Sequence, residues 1–124
     1  MRRALGRGSG GEAHMSSWTR VAGASGALSV GLGAYGAHGF KPENKTYEKV
    51  FETGNKYHLI HSVFLAAAPY VSKRPNLTAG LATFGIAAFS GSCYASSIAE
   101  NRDYGKLAPF GGFALIGAWL SLLL

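Results

Sequence analysis

The sequence predicts an all-α fold: a small multi-pass membrane protein, four transmembrane helices in a bundle, with a short amphipathic helix between the first two. Three observations carry this. Charged residues make up 15% of the 124-residue chain against 48% hydrophobic. The charges are also confined, since residues 21–40, 57–72, 75–99 and 107–124 contain none. Small residues recur every fourth position inside these stretches. A helix in water needs a charged face, and these four lack one. Each approaches the ~20 residues that cross ~30 Å of hydrocarbon.

Residues 1–17 read as a flexible or targeting tail, and 18–124 as one four-helix membrane domain with helices at about 18–37, 57–72, 77–99 and 107–124. The tail holds Arg2, Arg3 and Arg7 against the single acid Glu12. An Arg-rich, acid-poor start resembles a mitochondrial transit peptide. Read from Met15, Arg20 and the apolar run that follows also imitate a secretory signal, with Ala34-Tyr35-Gly36 as a small-residue cleavage site. The mitochondrial inner membrane and a secretory-pathway membrane therefore both stay open, as does cleavage of the first segment.

In the first helix Gly23, Ala27 and Gly31 form one small-residue row, and Ser25, Ser29, Gly33 and Ala37 another. Such rows let helix backbones approach closely in lipid. The expected seam is Gly23-Ala27-Gly31. Gly36, His38 and Gly39 then end the helix. In the loop, Tyr47, Val50, Phe51 and Gly54 recur at three and four, the period of an amphipathic helix. Asn44 is its candidate N-cap, and Glu52 with Lys56 its i,i+4 pair. The same period runs on through His58 and His61, so this helix is expected to lie at the interface and then enter the membrane. Pro69 kinks or stops the second helix. The third carries Ala87, Gly91 and Ala95, with serines able to bond across helices. The fourth starts at Pro109, a favoured first-turn residue, and carries Gly111 and Gly112.

Composition excludes several functions. The net charge of +6 flanks apolar stretches rather than forming a stripe interleaved with aromatics, so no nucleic-acid partner is expected. Gly31-x-Gly33-x-x-Gly36 matches a dinucleotide fingerprint with Glu52 downstream, but that motif needs a preceding strand and a βαβ unit. Nucleotide binding is not expected. Cys93 is the only cysteine, so it forms no intramolecular disulfide and reads as a buried, inert thiol. Asn44 and Asn76 head short glycosylation sequons, of which Asn76 is poorly placed beside a membrane helix. No catalytic or metal-binding set is evident, and no cofactor is expected.

The candidate site is a polar cluster of His38, His58 and His61, joined by Glu52, Asn55 and Tyr57. His58 and His61 are three apart on one helix face, and His38 ends the facing helix. Three imidazoles suit structural hydrogen bonding, proton handling, or a metal or haem. The expectation is structural: the three close the first hairpin by hydrogen bonding.

GAYGAHGF, FETGNKYHLIHSVFL, FSGSCY and LAPFGGFALIGAWL, in that order, resemble the transmembrane protein 256 family, the same family as bacterial membrane family of unknown function 423. The resemblance covers about residues 18–124. It implies a small multi-pass membrane protein with no established activity, associated in animals with mitochondria, and it brings no catalytic residues. The expected role is therefore non-enzymatic: an accessory or scaffold component partnered by the lipid bilayer and by other membrane proteins. The rival is a small transporter or proton-handling protein built on the histidines. Positive charge does not fix the topology, because six Lys or Arg fall on each side of a four-span chain.

Overall fold

The computed structural model describes residues 10–124, with side chains from residue 17 onward. Among these residues the chain is all helix, in four helices. The first is Gly10–His38 and the second Thr46–Val71. The third is Pro75–Ala99, interrupted by a π-turn at Ile86–Ser90. The fourth is Ala108–Leu120, with 3-10 turns before it at Arg102–Gly105 and after it at Ser121–Leu123.

The first helix is described from Gly10, so residues 10–17 of the expected tail are helical, while Arg2, Arg3 and Arg7 lie outside the described residues. The second helix is continuous: the amphipathic segment and the apolar segment are one rod, because the 3.6-residue period never breaks between Phe51 and Leu65. The N-cap falls on Lys45, without a side-chain cap, rather than on Asn44 as expected; Asn44, one residue earlier, still accepts the Thr46 N–H at 3.0 Å and so satisfies a free donor of the first turn. Pro69 is buried and does not stop the helix, which ends two residues later at Val71.

Two segments are long and apolar enough to cross a membrane by length and composition: the third helix, and the fourth together with its flanking 3-10 turns, Arg102–Leu123. The first two are less apolar. One is rich in Gly and Ser, and the other has its charged residues in its first half.

The second helix packs against the first and the third and meets the fourth through His61 and Phe64 on Trp119, the fourth packs mainly on the third, and the first packs on the second alone to any extent. The main core joins Ala22, Phe64, Leu65, Ala68, Ala79, Ala82, Ile86, Leu115 and Ala118. A second, aromatic cluster closes the loop end, with Phe51 between Phe40 (centroids 4.9 Å) and Tyr94 (5.0 Å). Small residues set the helix spacing. A Cβ on Gly54 would lie 2.5 Å from the Cβ of Cys93, and one on Gly111 would fall on the Phe89 backbone nitrogen.

The expected seam on the first helix is corrected here. Gly23, Ala27 and Gly31 face outward, and nothing lies within 4 Å of a Cβ built on either glycine. The face turned to the second helix holds Ala22, Ser29 and Gly33 instead, on the far side of the helix from the outward row. Gly91 is likewise open, and Gly112 makes only an ordinary contact with Phe89, so in the third–fourth interface Gly85 and Gly111 are the close-approach positions.

Glu100 ends the third helix with φ of 51°, in the left-handed region, and its carboxylate accepts the N–H groups of Glu43 and Asn44 at 3.1 Å each. One side chain therefore ties the third loop to the first. The described ion pairs, Lys45–Glu48 and Lys106–Asp103, are exposed. The expected Glu52–Lys56 pair does not form, and Lys56 Nζ lies over the Tyr57 ring instead.

Two predictions follow from these positions. Gly111→Ala should destabilise the protein by about 1–3 kcal/mol, since the backbone opposite cannot yield like a side chain. Gly31→Ala should be neutral or gain up to ~1 kcal/mol of helix propensity. Thermal unfolding in mild detergent reads both, and equal loss would contradict the outward placement. At Glu100, Ala loses both hydrogen bonds and keeps the left-handed backbone, whereas Gly loses only the bonds. Glu100→Ala should therefore be the less stable variant, by ~1 kcal/mol.

Candidate functional site

The polar side chains at the centre of the bundle form one directed hydrogen-bond relay. Asn55 on the second helix reaches both neighbours through its amide nitrogen, donating to Ser29 O on the first helix (2.8 Å) and to Tyr94 Oη on the third (3.1 Å). Tyr94 Oη lies 2.8 Å from His58 Nδ1. His58 Nε2 lies 3.1 Å from Ser25 Oγ, which lies 2.6 Å from Ser62 Oγ. Ser62 donates to the carbonyl of His58 at 2.8 Å, one turn back.

The ends fix the direction of every proton. The Asn55 amide nitrogen only donates and the His58 carbonyl only accepts. With each hydroxyl donating once, Tyr94 donates to His58 Nδ1, His58 donates from Nε2 to Ser25, and Ser25 donates to Ser62. The network leaves His58 through its ring and returns to its own backbone. His58 is buried at 3% exposure, as a fully satisfied ring can be.

His61 belongs to a separate pair. Its Nδ1 donates to the Tyr57 carbonyl at 2.7 Å, and its Nε2 accepts from Trp119 Nε1 on the fourth helix at 3.0 Å. Both partners have a fixed role, so the ring is held as the neutral Nδ1–H tautomer. Tyr57 stacks on it (centroids 6.0 Å, interplanar angle 27°), and Phe64 packs on Trp119 at 4.2 Å.

The expected cluster is thus divided. His58 and Asn55 join the first, second and third helices, and His61 with Tyr57 joins the second to the fourth. His38 is exposed at the end of the first helix. It is thirteen residues past Ser25, or about 20 Å along the axis, and takes no part in closing the hairpin. A spacing of three puts two side chains near one face but does not put them on one partner. Glu52 is exposed and lines a polar cleft with His38, Lys41, Lys45 and Glu48. Among the described residues no group of three His, Cys, Asp or Glu is placed to hold a metal. Tyr94, Ser25, Ser62 and Trp119 complete the site. Sequence reasoning missed them as site residues because nothing local marks which serine or aromatic faces a histidine on another helix.

A second relay of the same kind closes the other end. The Arg74 N–H donates to Ser72 Oγ (3.0 Å), Ser72 to Thr78 (2.7 Å), Thr78 to Ser121 (2.5 Å) and Ser121 to the Ala118 carbonyl (2.6 Å).

A family model described as a protein of unknown function (DUF423) matches residues 32–112. The chain is 36% identical over 103 residues to the UPF0382 membrane protein YwdK of Bacillus subtilis, covering 77% of this chain and 84% of that protein. It is 36% identical over 104 residues to a UPF0382 membrane protein of Staphylococcus saprophyticus, with 78% and 85% covered. A UPF0382 membrane protein of Schizosaccharomyces pombe is 32% identical over 118 residues, with 88% and 99% covered. No solved structure matches.

The division of the cluster is measurable. Tyr94→Phe should cost about 1–3 kcal/mol, because it leaves His58 Nδ1 buried without a donor. Combined with His58→Leu, it should show coupling of about 0.5–3 kcal/mol, since the two share one relay. Combined with Trp119→Phe, it should be additive within ~0.5 kcal/mol, since His61 is on the other branch. Double-mutant cycles by thermal or chemical unfolding give these values. Strong coupling of Tyr94 to Trp119 would show one cluster rather than two.

Proposed function

We propose that this chain, which belongs to the DUF423 family and whose named relatives are membrane proteins, crosses the bilayer four times as a non-enzymatic accessory or scaffold component of a membrane assembly. One observation carries the reading: all four ring nitrogens of His58 and His61 are engaged by protein partners. Rings in that state hold helices together. They have no lone pair or hydrogen left for a metal, a haem or a substrate. The outer faces supply what an assembly component needs, with Val63, Phe110 and Phe113 exposed at 65%, 62% and 71%. Such faces meet lipid or the helices of other membrane proteins.

Four spans follow from the same logic. Over a membrane-spanning length the first two helices fall short of the other two in apolarity, but their polar groups bond one another inside the bundle. Polar groups satisfied internally are tolerated at membrane depth. The Arg-rich start favours the mitochondrial inner membrane, with a secretory-pathway membrane as the alternative.

The rival, a proton-handling protein, would need the relay to lead somewhere. Here it returns to the carbonyl of the residue it left, and so connects no two compartments.

Two measurements test the reading. In a Cys93→Ser background, single cysteines at residues 43 and 103 should react with an impermeant reagent from one side, and one at 73 from the other. Reaction of 43 and 73 from the same side would show that the second helix does not cross and would overturn the four-span reading. In mild detergent the native protein should migrate in a complex with other membrane proteins. A lone monomer with proton flux in liposomes that His58→Leu abolishes would overturn the scaffold role.

A further inference from the structure

A polar cleft of about 270 Å³ opens where the first helix ends and the second begins. Its apolar floor is Phe40 and Phe51, both buried. Phe51 can close that floor because Gly36 is bare: a Cβ there would lie 2.6 Å from the Phe51 ring. The cleft sits at the end of the charge-free run 21–40, where Tyr35 is exposed. Tyrosines are enriched at membrane–water interfaces, so in a spanning bundle this is headgroup level.

Groups of both signs in the cleft lack a partner among the described residues. The negative side starts with the end of the first helix. Gly39 and Phe40 both donate their N–H to the Tyr35 carbonyl, at 2.7 and 2.9 Å, which leaves the carbonyls of Gly36, Ala37 and His38 without a donor. The last carbonyls of a helix form its negative pole. Glu52 lines the same cleft and makes no ion pair or hydrogen bond. On the positive side Lys41 is likewise unpaired, and Lys45 bonds only to Glu48, at 3.3 Å. Lys41 and Glu52 thus share one cleft, carry opposite charges and do not meet. A molecule with both charges joins them, whereas a simple anion or cation leaves one of them facing a like charge.

We propose that the cleft holds the headgroup of one phosphatidylethanolamine molecule, with its phosphate on Lys41 and Lys45 and its ammonium on Glu52 and the free carbonyls of the helix end. A primary ammonium has three hydrogens to donate, and these groups accept all three. A choline group has none to donate. An anionic lipid meets Glu48 and Glu52 as well as the lysines. The loop side as a whole is balanced in the same way, since residues 41–56 and 100–106 hold six Lys or Arg and five Asp or Glu. The volume lies below the ~300–1,000 Å³ of sites that enclose a small ligand entirely, which suits a headgroup whose tails stay in the bilayer.

The inference goes beyond the scaffold role and rests on the first hairpin reaching the bilayer surface. The test is native mass spectrometry of the full chain released from nanodiscs that hold equal parts of phosphatidylethanolamine, phosphatidylcholine and phosphatidylglycerol with identical tails. One phosphatidylethanolamine should stay bound, in several-fold excess over each of the others. Glu52→Gln keeps the shape and removes the charge, and should bring the ethanolamine lipid down to the level of the choline lipid. Lys41→Met should lower its retention several-fold. Lys49→Met, exposed outside the cleft, should leave it unchanged. Ala37→Phe, at an exposed position in the lining, should fill the cleft and abolish the preference. The side chains of Lys41, Lys49 and Glu52 are unbonded among the described residues, so these variants should unfold at the parent's temperature. Equal retention of the three lipids would overturn the site, and so would a preference for phosphatidylglycerol, which marks a merely basic surface. Soluble phosphoethanolamine carries the same headgroup without tails. Thermal stabilisation by it in detergent, with no lipid retained, would overturn the lipid in favour of a free zwitterion. Cysteine sidedness reports separately on the four spans, so loss of the lipid preference with sidedness intact counts against this inference alone.

Discussion

The bundle depends on one constraint: a polar hydrogen placed among apolar helices must find an acceptor there. In hydrocarbon an unmatched backbone or side-chain group costs several kcal/mol. The relay from Asn55 through Tyr94, His58, Ser25 and Ser62 meets this constraint by running in one direction to a carbonyl. Because each hydrogen has one place to go, the register of three helices is fixed together. Sliding the first helix by one residue would separate Ser25 from His58 and Ser29 from Asn55 at once. The chain from Arg74 through Ser72 and Thr78 to Ser121 does the same for the second, third and fourth helices at the opposite end.

Close approach is the other half of the design, and it needs small residues. The core holds Ala22, Ala68, Ala79, Ala82 and Ala118, with Gly54, Gly85 and Gly111 where backbones nearly touch. Lipid tails are as apolar as leucine, so burying large side chains gains little in a bilayer. Packing of backbones and bonds between helices gain more. Many large apolar residues accordingly lie outside, as Val63 and Phe113 do, while Phe51, Phe64, Leu65, Ile86 and Leu115 fill the core between the small ones.

The functional consequence is a separation of roles. His58 and His61, which invite a chemical reading, are absorbed into the framework, each with both nitrogens engaged. The polar groups left open to a ligand lie elsewhere, in the cleft between the end of the first helix and the start of the second.

The all-helical class, the four elements and the family were legible in the residues, because charge-free runs, the 3.6-residue period and the four motifs are properties of the chain itself. The continuity of the second helix could be read from its unbroken period, and that Asn44 serves its start from side-chain chemistry, though the cap position itself is Lys45. What one helix presents to another was not legible. The Gly23-Ala27-Gly31 row and the Ser25-Ser29-Gly33 row have the same spacing and similar composition, so either could have been the seam. Only the position of Asn55, Ser62 and Ala22 in three dimensions turns the second row inward. In the same way, the three-residue spacing placed His58 and His61 near one face, but their partners come from different helices. The tertiary structure alone decides them, because a hydrogen bond between helices depends on the rotation and axial shift of both, and neither quantity is encoded in the local sequence of one.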